Sequence, residues 1–112
     1  MNRVRILHKD IYTTGHELSK RDKLGIHKLN EDLAVKLLAL LIEAAFTRRE
    51  QKLKTLELAR VQAEVLKNLI RTEHELKIIS EDKYIQLSKE IVEISRMLSK
   101  WISYIASLKT SS

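Results

Sequence analysis

Residues 84, 87, 91, 94, 98, 101, 105 and 108 alternate three and four apart and read Tyr, Leu, Ile, Ile, Leu, Trp, Ile, Leu. An unbroken apolar seam of that period requires one long amphipathic helix, Tyr84 to Leu108, covered by partner helices. Beside the seam, positions 88, 95, 99 and 106 read Ser, Ser, Ser and Ala. Small side chains let a neighbouring axis come close. Ser88, Ser95 and Ser99, with Trp101 in the adjoining seam, are therefore the expected second packing surface, available to further copies of the chain.

The remaining residues supply the helices that cover the seam. With no proline and only Gly15 and Gly25 among 112 residues, the chain has almost no turn punctuation, and its Leu, Lys, Glu, Ile and Ala favour long helices over sheets. A first helix is expected from about Asn2 to Leu18, on the stripe Val4, Leu7, Ile11, Thr14 and Leu18, with its last turn loosened by Gly15. Ser19 to Lys23 reads as a polar connection in which Ser19 or Asp22 caps the next helix. That second helix, about Lys23 to Phe46, carries Ile26, Leu29, Leu33, Leu37, Leu40 and Ala44, widened by Ala34, Leu38, Leu41 and Ala45. Thr47-Arg48-Arg49-Glu50 fits a capping box opening a third helix, about Arg48 to Leu76. The third helix has two stripes: Leu56, Ala59, Ala63, Leu66 and Ile70, and Leu58, Val61, Val65, Leu69 and Leu76. Arcs this wide on the second and third helices imply burial from two directions. Ser80, with Glu81 and Asp82 after it, opens the last helix. The fold expected is all-α: an antiparallel up-down-up-down four-helix bundle over residues 1–109, with 110–112 a flexible tail.

Several function classes are disfavoured by absent residue types and motifs. There is no Cys, hence no disulfide or thiolate chemistry. The longest apolar run, Leu37 to Ile42, is too short to cross a bilayer, and Met1 to Lys9 is too charged for a signal peptide. A soluble, cytoplasmic protein with no membrane association is expected. No Glu has His three residues after it, the pair a bundle needs for a carboxylate-bridged metal site. His8, His16, His27 and His74 sit among charged residues at surface-like positions, and Glu73-His74-Glu75 cannot converge on one atom, since neighbours on a helix point about 100° apart. No catalytic residues, metal or cofactor are expected; metal analysis would expose a metal-dependent bundle enzyme.

Positive charge is the more informative feature. The net charge is +6, which turns the chain toward polyanions. Arg60, Lys67, Arg71 and His74 share a face of the third helix, and Arg96 and Lys100 share a face of the fourth with Lys89 and Glu93. Lys20 and Arg21 lie in the connection after the first helix. Rows of fixed positive charge suit a phosphate backbone without base readout. The alternative is a solvated face, with these residues salt-bridged to Glu57, Glu64, Glu90 and Glu93. Base stacking is not expected, because Trp101 and Tyr84 belong to the seam.

Several segments together resemble a known family. These are the opening helix, the loop Ser19-Lys20-Arg21-Asp22-Lys23-Leu24-Gly25, the Leu-rich second helix, Leu66-Lys67-Asn68-Leu69-Ile70-Arg71, and Ser95-Arg96-Met97-Leu98-Ser99-Lys100-Trp101-Ile102. Across nearly the whole chain the sequence resembles the accessory variability determinant proteins of diversity-generating retroelements. The resemblance implies a barrel-like homopentamer of four-helix bundles, without catalysis of its own. It further implies binding to the element's reverse transcriptase and to RNA or DNA, in support of mutagenic reverse transcription and retrohoming. Lys67 and Arg71 fall where that family places basic residues on its third helix, and Arg96 falls in the fourth-helix motif. The chain departs from the family at Ser95 and Ser99, where glycine is frequent, and at Lys100, an added charge. The related ribosomal-RNA intervening-sequence proteins share the bundle, but their Asn-Ile-Ala-Glu-Gly signature is absent here. A scaffold whose basic face docks an acidic protein is the competing reading.

Overall fold

The computed structural model describes residues 1–110. Its elements are α1 (Asn2–Thr14), a 3₁₀ turn (Gly15–Glu17), α2 (Lys20–Leu24), α3 (Ile26–Phe46), α4 (Arg49–Glu75) and α5 (Glu81–Thr110). No strand occurs among the described residues. Thr110 ends α5; the other two residues of the expected tail, Ser111 and Ser112, lie outside the described residues.

The four long helices pack side by side, α1 against α3 and α5, and α4 against α3 and α5. The result is an elongated bundle of 53 × 20 × 19 Å. Its core takes one stripe from each helix: Val4, Leu7 and Ile11; Ala34, Leu37, Leu41 and Ala44; Leu56, Ala59, Ala63, Leu66 and Ile70; Leu87, Ile91, Ile94, Leu98 and Ile105. The α5 seam is thus sealed at five of its positions, while Tyr84, Trp101 and Leu108 are only partly covered.

The helix ends differ from expectation in instructive ways. Ser19 does cap, its hydroxyl accepting from the Asp22 amide at 3.3 Å, but the helix it opens is the short α2 inside the expected loop. Ser80 caps α5 in the same way through the Lys83 amide, at 3.2 Å. The capping box at Thr47 does not form. The Thr47 hydroxyl donates instead to the Glu43 carbonyl, which α3 leaves free at its end, and Arg48 stands at the start of α4 without a side-chain cap. Lys77, in the reversal between α4 and α5, has φ 60°, the left-handed conformation.

The second α4 stripe is a further correction. Leu58, Val61, Val65 and Leu76 are exposed, so one copy of the chain buries α4 from one side only. Leu29 and Ile42 are likewise exposed on α3.

Candidate nucleic-acid interface

Of the expected phosphate-binding residues, the structure brings Lys67, Arg96 and Lys100 together. They line one open groove between α4 and α5 with Glu64, Val92, Ser95 and Ser99. The small residues of the α5 flank therefore floor a shallow groove whose walls carry positive charge. Ser88 belongs to the adjoining groove, with Tyr84, Ile85, Lys89, Val92, Glu93 and Arg96. Trp101 is half-buried. Arg60 and Arg71 extend the cationic row along α4, and Lys20 and Arg21 stand apart on α2.

Four of these cations have a carboxylate of their own helix close by: Arg60 with Glu57 at 2.7 Å, Lys67 with Glu64 at 3.6 Å, Arg71 with Glu75 at 4.0 Å, and Arg96 with Glu93 at 3.3 Å. All eight side chains are roughly half exposed. Ion pairs of this sort contribute about 0–1 kcal/mol, so an incoming phosphate can displace them at little cost. Lys20, Arg21 and Lys100 make no ion pair among the described residues, nor do Lys23, Lys89, Arg48, Arg49 and Lys52. His74 belongs to the α4 face by sequence, but its ring stacks on Tyr84, with centroids 4.2 Å apart.

One histidine expected at the surface, His27, lies instead in the core. It is fully buried, with Nδ1 2.8 Å from Glu73 Oε2 and Nε2 2.6 Å from the Ile11 carbonyl oxygen. The carbonyl can only accept, so Nε2 carries a proton. The Asn30 amide donates to the other Glu73 oxygen. Burial is the largest single influence on His27 and lowers its pKa. The bonds to Glu73 and Ile11, with the charges of Glu73 and Glu31, outweigh it and leave the pKa raised. An imidazolium donating from both nitrogens to a carboxylate and a carbonyl satisfies every partner. The cluster ties α1, α3 and α4 together where no solvent reaches, and a sealed pair of this kind has no access for substrate. Asn30 Oδ1 is left without a partner.

The sequence did carry a signal for it. His27 and Asn30 begin the series 27, 30, 34, 37, 41, 44, and Glu73 ends 56, 59, 63, 66, 70, 73; both are unbroken three-four registers whose other members are buried. Gly15 is explained by the same cluster. A Cβ there would stand 3.0 Å from His27 Cδ2, so the glycine permits the 3₁₀ turn to pass over the ring.

A second acidic pairing joins α1 to α5. Burial, then the hydrogen bond and charge of Asp10, push Glu90 up to about 8, against a smaller opposing effect of Lys83. Glu90 therefore keeps its proton at neutral pH, with its Oε2 buried and without a hydrogen-bond partner among the described residues, while Asp10 accepts from Gln86 Nε2 at 3.1 Å.

Among the described residues no three His, Asp or Glu side chains are grouped as metal ligands, and no helix is long and apolar enough to cross a membrane. No family model, curated protein or solved structure matches this chain.

Proposed function

We propose that this chain is a non-catalytic accessory subunit similar to the variability determinant proteins of diversity-generating retroelements, one that binds nucleic acid through its phosphates and a reverse transcriptase. The observation that carries the reading is the cation-walled groove of Lys67, Arg96 and Lys100, which Arg60 and Arg71 extend along α4. Its carboxylates are about half exposed, and Lys100 has none beside it among the described residues, so the face keeps fixed positive charge to offer a phosphodiester chain. Lys20 and Arg21 add charge on α2.

Self-association is the second part of the reading. Leu58, Val61 and Val65 on α4 and Ile85 and Val92 on α5, beside Ser88 and Ser95, are apolar yet exposed. Two different exposed stripes suit a head-to-tail contact, and head-to-tail contacts close into rings such as a pentamer.

The test combines mass and salt dependence. A sedimentation mass several times 13.1 kDa is expected, together with RNA or DNA binding that weakens steeply as salt rises. Lys67→Glu with Arg71→Glu should abolish that binding at unchanged helicity. A monomer indifferent to nucleic acid overturns the proposal. Competition by heparin separates it from a scaffold role, because a scaffold prefers its cognate protein over any polyanion.

A further inference from the structure

The bundle has a fourth helix over only part of its length. α1 spans 13 residues and α5 spans 30, a difference of roughly 25 Å at 1.5 Å per residue. The first turn of α1 meets α5 at Arg3, 3.5 Å from Glu93, and Arg3 lines a groove there with Glu93, Arg96, Met97 and Lys100. From that level to the end of α5, only α3, α4 and α5 continue among the described residues.

The side chains on that stretch are those of helices with a neighbour. On α5, Glu90 and Glu93 face α1. The same flank continues at three-four spacing as Met97, Trp101, Tyr104 and Leu108, apolar residues that no part of the described chain covers fully: Tyr104 is 60% exposed, and the others are half-buried. On α3, Leu38 lines a groove with Ile6 and Arg5 of α1. Its flank continues as Ile42 and Ala45, both exposed although Leu41 and Ala44 beside them are sealed. Two flanks in the register of α1 thus run on past the end of α1.

Positive charge outweighs negative around this open stretch. Lys100 on α5 and Arg48, Arg49 and Lys52 at the start of α4 make no ion pair among the described residues. Glu93 is already shared by Arg3 and Arg96. Glu43 and Glu50 are the acids on the adjoining turns, and both point into solvent.

We propose that this end of the bundle receives an amphipathic helix from an acidic partner protein, its apolar seam seated on Trp101, Met97, Ile42 and Ala45 and its Glu or Asp flanks meeting Lys100, Arg48, Arg49 and Lys52. Such a helix completes the four-helix section and pairs the rim charges. A second copy is the poorer occupant, because it brings another +6 to a positive rim. The inference deepens the reading of this chain as a protein-docking accessory subunit by giving the partner a site and a chemistry, and it requires no nucleic acid.

Trp101 is the one tryptophan of the chain and is half-buried on the flank where the helix would seat, so it reports occupancy directly. The full chain is titrated with two designed helical peptides that share one leucine seam and carry either Glu or Lys on its flanks. The Glu peptide should shift Trp101 emission to the blue, saturably and at least tenfold more tightly than the Lys peptide. Lys100→Glu with Arg48→Glu should invert that preference, a gain that a damaged fold cannot imitate. No shift with either peptide, equal affinity for both, or a shift driven by protein concentration alone would each overturn the proposal. The nucleic-acid reading fails separately, in the salt-dependent binding of RNA or DNA without peptide.

Discussion

The two ends of this bundle are built on opposite terms. At one end α1, α3 and α4 converge on His27, Glu73 and Asn30, a fully buried group of polar side chains under the 3₁₀ turn. At the other end three helices continue without α1, and Trp101, Ile42, Ala45 and Phe46 stay partly or largely open. A buried ion pair adds little net stability over an apolar core, but it penalises any arrangement that leaves one charge alone. The first end therefore fixes which helices meet and in what register, while the second keeps apolar surface uncommitted.

Mutations should sort by end. Glu73→Ala leaves His27 Nδ1 and the Asn30 amide buried without their acceptor, and a loss of about 3–5 kcal/mol is expected in urea denaturation. A loss below about 1 kcal/mol would erase the contrast. Gly15→Ala is next. At an open helical position this change usually stabilises by about 0.4–1 kcal/mol. Here the new methyl meets the His27 ring, so a destabilisation of about 1–3 kcal/mol is expected instead.

The pH dependence should be smaller and have one sign. His27 has a raised folded pKa, so its contribution is complete below its ordinary value and is lost as pH rises through the folded one. Glu90, held near 8, keeps a proton in the folded state that the unfolded chain has released, so stability falls between the usual carboxylate range and about 8. Both effects make the melting temperature decline from mildly acidic to mildly alkaline solution. Glu90→Gln should flatten part of that slope, by a modest amount because the side chain is only partly buried. A melting temperature that rises over the same interval contradicts both assignments. Phe46→Ser stands last: the ring is 86% exposed, and thermal unfolding should move by no more than about 0.5 kcal/mol.

The fold was legible because its carriers are periodic. The α5 seam, the α1 stripe and the caps at Ser19 and Ser80 come from spacing and residue type alone. His27 was not, because its charged neighbours Lys28 and Glu31 suggest a surface; only the register shared with Asn30, Ala34 and Leu37 reveals the inward face, and a polar residue interrupts an apolar pattern read by hydrophobicity. Thr47 was misread for a different reason. A hydroxyl between two helices can serve the end of one or the start of the next, and only the backbone decides. The cationic face was legible as charge and in part as pairing: Glu57, Glu64 and Glu93 meet its arginines and lysines within one turn, Glu75 does so at Arg71, and Glu90 makes no ion pair among the described residues.

The contact between α1 and α5 joins the two most distant parts of the sequence, while α3, α4 and α5 succeed one another directly. Closing so long a loop has an entropic penalty that adjacent hairpins avoid. The three C-terminal helices are accordingly expected to form first and the N-terminal helix to dock late, locked when the Ile11 carbonyl accepts its hydrogen bond from the imidazole beneath it. In native-state hydrogen exchange its amides should open first, and open alone, as a separate cooperative unit.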